Sequence, residues 1–208
     1  MNSPHHRPAP RASSRSQSRT QSRGLTLIEL MMGIAVAGIL LALASPSFQQ
    51  ALNGNRLSSA ASELTGAVQL ARAEAIRNNR RVTLCRSADG SACSSSSSTW
   101  AGWIVFVDLN ADGVRGSGEP IVKSGTFDGS LVVKSSANLT AVSERITFRG
   151  DGTARASDGQ SLLTGTLAVC VASTTPALNA RDVSLAFGSR TTVKKRNGSG
   201  ACATPSDS

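Results

Sequence analysis

Residues 23–44 read Arg-Gly-Leu-Thr-Leu-Ile-Glu-Leu-Met-Met-Gly-Ile-Ala-Val-Ala-Gly-Ile-Leu-Leu-Ala-Leu-Ala. As an α-helix, residues 25–44 would be about 30 Å long, which is the thickness of a bilayer core. The charged side chains of residues 1–24 are all arginines: Arg7, Arg11, Arg15, Arg19 and Arg23. Because basic residues beside a membrane helix stay in the cytoplasm, the sequence predicts a single-pass membrane protein whose carboxyl-terminal part lies outside the cytoplasm.

Glu29 is the one acid inside this apolar run. A carboxylate within a membrane helix costs about 3 kcal/mol, so it indicates a function and requires a partner. The alternative interpretation of the run is a cleaved secretory signal peptide. Against it, the run is longer than the apolar core of such peptides, which is about 7–15 residues, and Pro46 is poorly placed for signal peptidase.

The segment from Arg23 to Leu30 resembles the prepilin processing motif of type IV pilins and type II secretion pseudopilins. The resemblance implies that prepilin peptidase cleaves between Gly24 and Leu25, and that the new amino terminus, Leu25, is methylated. It also implies that Glu29 meets the amino terminus of a neighbouring subunit, so that an amine neutralises the buried carboxylate. The expected partners are other pilins or pseudopilins, the peptidase and the inner-membrane assembly machinery. The expected location is the bacterial inner membrane, with the carboxyl-terminal domain in the periplasm, and then a pilus or pseudopilus.

Four segments are expected along the chain. Residues 1–24 form a cleaved basic leader, and residues 25–45 form the transmembrane half of a long helix. Residues 46–78 form the amphipathic half of that helix, because apolar residues recur there at helical spacing. Residues 79–208 form a globular β domain.

Eight strands are predicted from residue 81 onward, where the apolar period changes to two. They cover residues 81–86, 103–108, 120–123, 131–134, 145–149, 167–172, 183–187 and 191–195. Asp-Gly turn signals separate many of them. The expected fold class is therefore α+β, a type IV pilin-like fold in which the long amino-terminal helix packs on an antiparallel β-sandwich.

Residues 73–85 and 100–113 narrow the resemblance. They read Ala-Glu-Ala-Ile-Arg-Asn-Asn-Arg-Arg-Val-Thr-Leu-Cys and Trp-Ala-Gly-Trp-Ile-Val-Phe-Val-Asp-Leu-Asn-Ala-Asp-Gly, and they resemble the GspH/FimT family of minor pseudopilins and pilins. This resemblance implies a low-copy subunit at or near a filament tip, which initiates or caps the filament.

The four cysteines are Cys85, Cys93, Cys170 and Cys202. The predicted orientation places them in an oxidising compartment, where disulfides form. Three connectivities are allowed. We favour Cys85–Cys93, which closes a serine-rich loop, and Cys170–Cys202, which ties the carboxyl-terminal tail to a strand. With no CxxC pair and no histidine beyond the leader, these cysteines are not expected to bind metal.

Residues 108–119 fit the spacing of an EF-hand loop, with Asp108, Asn110, Asp112 and Glu119 at ligand positions. The flanking segments are predicted strands, whereas an EF-hand has flanking helices. The competing interpretation is a hairpin loop whose side chains bond their own backbone. No metal is expected, and calcium is the alternative.

The segment from residue 181 to residue 196 is basic, with Arg181, Arg190, Lys194, Lys195 and Arg196. Some FimT-type minor pilins bind DNA for natural transformation through a basic carboxyl-terminal region with a Gly-Arg-x-Arg motif. Residues 188–196 depart from that motif by an inserted serine and displaced charges. Five cations can neutralise phosphates of double-stranded DNA without reading sequence. The alternative is a solvated basic face, or one that meets an acidic neighbour in the filament.

The residue types argue against an enzyme. Both histidines, His5 and His6, lie in the leader, the chain has no tyrosine, and no two acids share an apolar setting. No cofactor is expected. Three hypotheses of function are a structural subunit of a type IV pilus or type II secretion pseudopilus, the same subunit acting also as a DNA receptor, and an anchored periplasmic domain that does not assemble. Glu29 disfavours the third, and the disulfides and tail favour the pilus over the secretion machine.

Overall fold

The computed structural model describes residues 24, 26–94, 99–156, 158 and 160–207, with the backbone alone for residues 43–46. The leader and Leu25, where the processing predictions fall, lie mostly outside these residues; Gly24 lies within them. The chain separates into two compact units, Met1–Leu43 and Ala44–Ser208.

Helix α1 runs from Leu27 to Asn78. The backbone N–H of Glu29 donates to the hydroxyl of Thr26 at 3.3 Å, as a capping threonine does, so the helix begins two residues later than the predicted Leu25. In the first unit the apolar side chains of α1 are exposed; Ile28 and Met31, for example, keep 63% and 60% of their surface. By length and composition α1 is able to cross a membrane.

In the second unit, one face of α1 is buried. Leu57, Leu64, Val68, Ala71 and Ala75 are buried, and they recur at intervals that place them on one face. Polar residues beside this face bond the helix to the loops on either side of β7. Asn53 donates to the carbonyl of Thr175 at 2.8 Å, and Arg72 donates to the carbonyl of Ser189 at 3.0 Å.

The rest of the second unit is eight strands and one short helix. In chain order they are β1 Arg81–Ser87, β2 Gly102–Asp108, β3 Ile121–Thr126, β4 Leu131–Ser135, α2 Ala137–Ala141, β5 Arg145–Phe148, β6 Gly165–Val171, β7 Ala180–Ala186 and β8 Arg190–Arg196. Every predicted strand is present, within three residues at each end. Helix α2 was not predicted, because five residues are too few to show a period.

The strands form two four-stranded antiparallel sheets. Sheet A has the order β3-β2-β1-β5, and sheet B has the order β4-β6-β7-β8. One hydrophobic core joins the inner faces of both sheets to the buried stripe of α1. The indole N–H of Trp103, a buried residue of this core, donates to the partly buried Glu63 of α1 at 3.0 Å. This arrangement confirms the α+β class, with the helix packed on antiparallel sheets.

Each sheet also has a covered region on its outer face. On sheet A, Ile104 and Phe106 form a second small apolar cluster with Cys85, against which the partly buried Cys93 packs. On sheet B, all seven residues of β6 are buried. The residues after β8 cross this face, and Pro205 among them is buried. One disulfide therefore lies on the outer face of each sheet.

Candidate functional site

The processing and assembly residues lie at the start of α1. Gly24 is exposed, and Leu25 is outside the described residues. Glu29 is in the first turn of α1, where a carboxylate interacts favourably with the positive end of the helix dipole. Its carboxylate makes no hydrogen bond or ion pair with any described residue. Glu29 therefore presents an unpaired carboxylate among exposed apolar side chains.

The two disulfides join the pairs that the sequence favours. Cys85–Cys93 spans eight positions and Cys170–Cys202 spans 32, with Cα–Cα distances of 5.7 and 5.6 Å. The first starts from the centre of β1, and the second starts from β6. The four cysteines are all bonded, so none is free.

The carboxyl-terminal tail, residues 197–207, is held to the outer face of sheet B at successive points. Gly198 donates its N–H to the Asn179 side chain at 2.7 Å, and Cys202 is bonded to Cys170. The ammonium of Lys134 donates to the carbonyl of Cys202 at 2.9 Å. The Cys170–Cys202 disulfide is thus one of several attachments that keep the tail across β7, β6 and β4.

The acidic loop, residues 108–119, joins β2 to β3. Glu119 accepts from the backbone N–H groups of Leu109 and Gly116 at 2.7 and 2.8 Å, one on each carboxylate oxygen. Asp108 accepts from the N–H of Gly113 at 3.0 Å. Burial raises the pKa of Asp108. These contacts are those of a hairpin loop whose side chains bond their own backbone.

The other two residues at calcium-ligand positions take part in the same network. Asn110 donates to Asp112 at 2.8 Å and accepts from its N–H at 3.1 Å, and Asp112 accepts from the N–H of Val114 at 2.6 Å. Within the described residues, no group of three or more side chains is arranged to hold a metal ion.

The basic segment predicted to bind DNA is divided between the two faces of sheet B. Thr191 accepts from Gln69 of α1, and Val193 and Lys195 line a groove beside α1, so odd-numbered residues of β8 face the helix. Successive side chains of a strand alternate. Arg190, Lys194 and Arg196 therefore face the opposite side.

Two of these five cations are already engaged. Arg196 forms a bidentate pair with Asp182, at 2.6 and 3.1 Å. Arg181 is 7% exposed and donates to the carbonyls of Leu178 and Ala180 at 2.8 and 3.0 Å. Burial lowers the pKa of Arg181. The exposed cations on one face of β8 are consequently Arg190 and Lys194.

Four arginines that the sequence did not single out line one cavity of about 350 Å³. They are Arg81, Arg145, Arg149 and Arg155. They are scattered over 75 positions of the sequence. The pairing of β1 with β5 places Arg81 beside Arg149, and the alternation of side chains along β5 puts Arg145 on the same face as Arg149. No sequence pattern could have found this group.

Comparison with known proteins gives two family matches. The model described as type II transport protein GspH matches residues 60–188. The model described as prokaryotic N-terminal methylation motif matches residues 19–45. The first covers most of the helix-and-sheet unit, and the second covers the Gly24–Leu25 junction and Glu29.

Individual proteins are also similar. The chain is 40% identical over 92 residues to pilin-like protein PilA1 of Thermus thermophilus, a match covering 43% of this chain and 51% of the relative. The chain thus spans about half the length of the curated relative that it matches. Two crystal structures of the type IV minor pilin FimU of Pseudomonas aeruginosa are 23% identical, with TM-scores of 0.45 and 0.46. The matched regions cover 66% and 67% of this chain, and 92% and 89% of the FimU chains.

Proposed function

The chain belongs to the GspH family of pilin-like proteins, and we propose that it is a minor subunit that initiates or caps a bacterial filament. Members of this family are structural subunits and not enzymes, so its activity is assembly with other pilins. The prokaryotic methylation motif implies processing by prepilin peptidase.

The observation that carries the proposal is the state of the first half of α1. No other described part of the chain covers its large apolar side chains. Glu29 lies among them without a partner in the described residues. Exposed apolar surface of this extent requires a lipid or protein environment. An unpaired carboxylate in such an environment requires a cation. A neighbouring subunit with a free amino terminus would supply both the apolar surface and the cation.

The proposed order of events begins in the inner membrane. The arginine-rich leader stays in the cytoplasm, and the unit after α1's apolar half lies in the periplasm, where both disulfides form. Cleavage between Gly24 and Leu25 removes the leader and creates the amino terminus of Leu25. The assembly machinery then moves α1 from lipid into the filament, and Glu29 pairs with the amino terminus of the next subunit.

A filament-incorporation assay tests this role. The chain, carrying Glu29→Gln, replaces the wild type in its source bacterium, and its amount is measured in membranes and in sheared filaments. We expect normal processing and membrane content but loss from filaments, because glutamine cannot pair with the amine. Glu74→Gln is the matched control, since it removes a carboxylate from the other half of α1. Incorporation of Glu29→Gln at the wild-type level would contradict the proposal.

The same fractions identify the machine. Cross-linking of the wild type to pilus subunits would assign it to a type IV pilus, whereas cross-linking to pseudopilins would assign it to type II secretion. Recovery at a few copies per filament, at one end, supports initiation or capping. Even distribution along the filament would contradict that part of the proposal.

Capture of double-stranded DNA is the second candidate function. Arg190 and Lys194 favour it, because both are exposed on the same face of β8 and neither has an ion pair in the described part of the chain. Arg196 contributes less, since Asp182 already neutralises it.

A salt-dependent titration tests DNA capture. The full oxidised chain in neutral detergent is titrated with double-stranded DNA, alongside Arg190→Glu/Lys194→Glu. If two phosphates are neutralised there, the slope of log affinity against log salt should fall by about two in the variant. Arg80→Glu/Lys123→Glu makes the same change of charge at exposed positions elsewhere. Equal losses in both variants, or no binding at low salt, would rule out a site on β8.

A further inference from the structure

The arginine cavity is the space lined by Arg81, Arg145, Arg149 and Arg155. Its position follows from the register of sheet A. Val82 of β1 lies opposite Phe148 of β5, so Arg81 and Arg149 are the next residues at the same end of the two strands. Arg145 begins β5 and Arg155 follows a short turn. The antiparallel pairing thus brings guanidinium groups from separate parts of the chain to one place.

The acids that line the cavity do not balance the charge of its arginines, because two carboxylates face four guanidinium groups. These carboxylates belong to Asp108 and Asp112, and neither forms an ion pair with Arg81, Arg145 or Arg155 in the described part of the chain. The N–H of Gly113 donates to one oxygen of Asp108 and the N–H of Val114 to one oxygen of Asp112, and the second oxygen of Asp108 is buried without a hydrogen-bond partner among the described residues. Asp151 approaches Arg155 at 3.7 Å, on the exposed side. The cavity therefore keeps an excess of positive charge.

Arg145 also has a hydrogen-bond donor that is not used. Its Nε is buried and has no hydrogen-bond partner. Its side chain passes along the acidic loop, within 4 Å of where a Cβ on Gly113 would lie. A buried donor without an acceptor is costly, and four like charges around one space repel one another. An anion in the cavity would relieve both.

We propose that the arginine cavity is a binding site for a phosphate group. Guanidinium groups present planar pairs of N–H donors that match phosphate oxygens. A phosphomonoester offers three acceptor oxygens and up to two negative charges, and a phosphodiester chain offers two unbridged oxygens and one charge at each successive group, whereas an isolated carboxylate offers two oxygens and one charge. A phosphate can therefore accept hydrogen bonds from more of the four guanidinium groups than a carboxylate can.

The size of the cavity bears on what carries the phosphate. About 350 Å³ is at the small end of ligand pockets. It has room for a phosphate with part of an attached molecule. The phosphate could come from a free phosphomonoester or from the backbone of a nucleic acid, and titration separates the two.

This site is distinct from both proposed functions. Sheet A carries it, whereas the basic residues of β8 belong to sheet B and none of them lines the cavity. It also lies far along the chain from Glu29. If the cavity does not bind phosphate, the proposals of filament assembly and of DNA capture by β8 still stand. If those two proposals fail, the phosphate site still stands.

Calorimetric titration of the full oxidised chain in neutral detergent tests the proposal. The probes are inorganic phosphate, adenosine 5′-monophosphate and a short oligothymidine, all at low salt. We expect saturable binding of at least one probe. Arg145→Gln should weaken it about ten- to hundredfold, because it removes a charge-assisted hydrogen bond. Arg80→Gln is the matched control, since it removes an exposed guanidinium that does not line the cavity.

Each outcome decides the matter. If phosphate and the nucleotide bind and oligothymidine binds no more tightly, the ligand is a phosphomonoester. If oligothymidine binds more tightly and Arg145→Gln abolishes its binding, the ligand is a phosphodiester chain. No saturable binding of any probe at millimolar concentration overturns the proposal, as does an equal loss in Arg80→Gln. If Arg145→Gln unfolds, Arg81→Gln takes its place, because Arg81 donates only to the carbonyl of Ala111 at the surface. Unchanged affinity in a folded Arg81→Gln would then be the contradicting result.

Discussion

Removal of the Cys170–Cys202 disulfide should destabilise the β domain more than removal of Cys85–Cys93. The variants are Cys170→Ala/Cys202→Ala and Cys85→Ala/Cys93→Ala. Each removes one buried and one half-buried cysteine, so the loss of packing is similar in the two. The difference between them then reports mainly the length of the loop that each bond closes.

The magnitude follows from the two loop lengths. With separations of 32 and eight residues, the loop-closure entropy of the unfolded chain gives about 3.7 kcal/mol for Cys170–Cys202 and about 2.5 kcal/mol for Cys85–Cys93. For a domain of this size, about 1 kcal/mol corresponds to about 2–4 °C in Tm. The expected losses are therefore about 7–15 °C and about 5–10 °C.

The assay is thermal and urea unfolding of the full oxidised chain in neutral detergent, followed by tryptophan fluorescence. Both tryptophans, Trp100 and Trp103, lie in the core between α1 and the sheets, so the signal reports this unit. Reduced wild type is the control, and it should be less stable than either variant. A larger loss for the Cys85–Cys93 pair, or equal losses, would refute the account based on loop closure.

Three further perturbations test the packing and the charges of the same unit. Leu64→Ala should cost about 2–5 kcal/mol in urea unfolding, since Leu64 is fully buried in the core; a loss below about 1 kcal/mol would contradict this. Gly125→Ala should cost about 1–3 kcal/mol in the same assay, because its Cβ would lie 2.6 Å from the Trp103 ring. An unchanged unfolding midpoint would contradict this, since it would mean that β3 can shift away from Trp103 without loss of stability. Hydrogen bonds from Ser130 hold the pKa of Asp128 below its ordinary value of 3.8, so Asp128 stabilises the fold above that pH and its contribution is lost as pH falls through the lower, folded-state pKa. Asp128→Asn should therefore lower the unfolding midpoint at neutral pH and differ less from wild type in acid; a difference that does not shrink would argue against this origin.

Much of the fold could be predicted from the sequence, because its signals are local. The eight strands follow from alternation and Asp-Gly turns, and the buried face of α1 follows from its helical spacing. The order of strands in the sheets could not be predicted, since it depends on pairings between distant segments such as β1 with β5. Helix α2 is too short to produce a period of its own.

The candidate sites show the same division. Glu29 is recognisable because a lone acid in an apolar run is exceptional, and its role in assembly stays a prediction. The sequence shows the basic residues of 181–196 as one cluster, but strand alternation divides it and Asp182 neutralises Arg196. Burial of Arg181 depends on α1 packing beside β7, which no local pattern encodes.

The most direct test of the central claim is the intact mass of the chain extracted from membranes of a bacterium that has prepilin peptidase. We expect an amino terminus at Leu25 carrying one methyl group, with both disulfides formed. Glu29→Gln should be processed in the same way, which separates cleavage from assembly. A chain that still begins at Met1, or one cut after the apolar run as by signal peptidase, would contradict the assignment as a processed filament subunit.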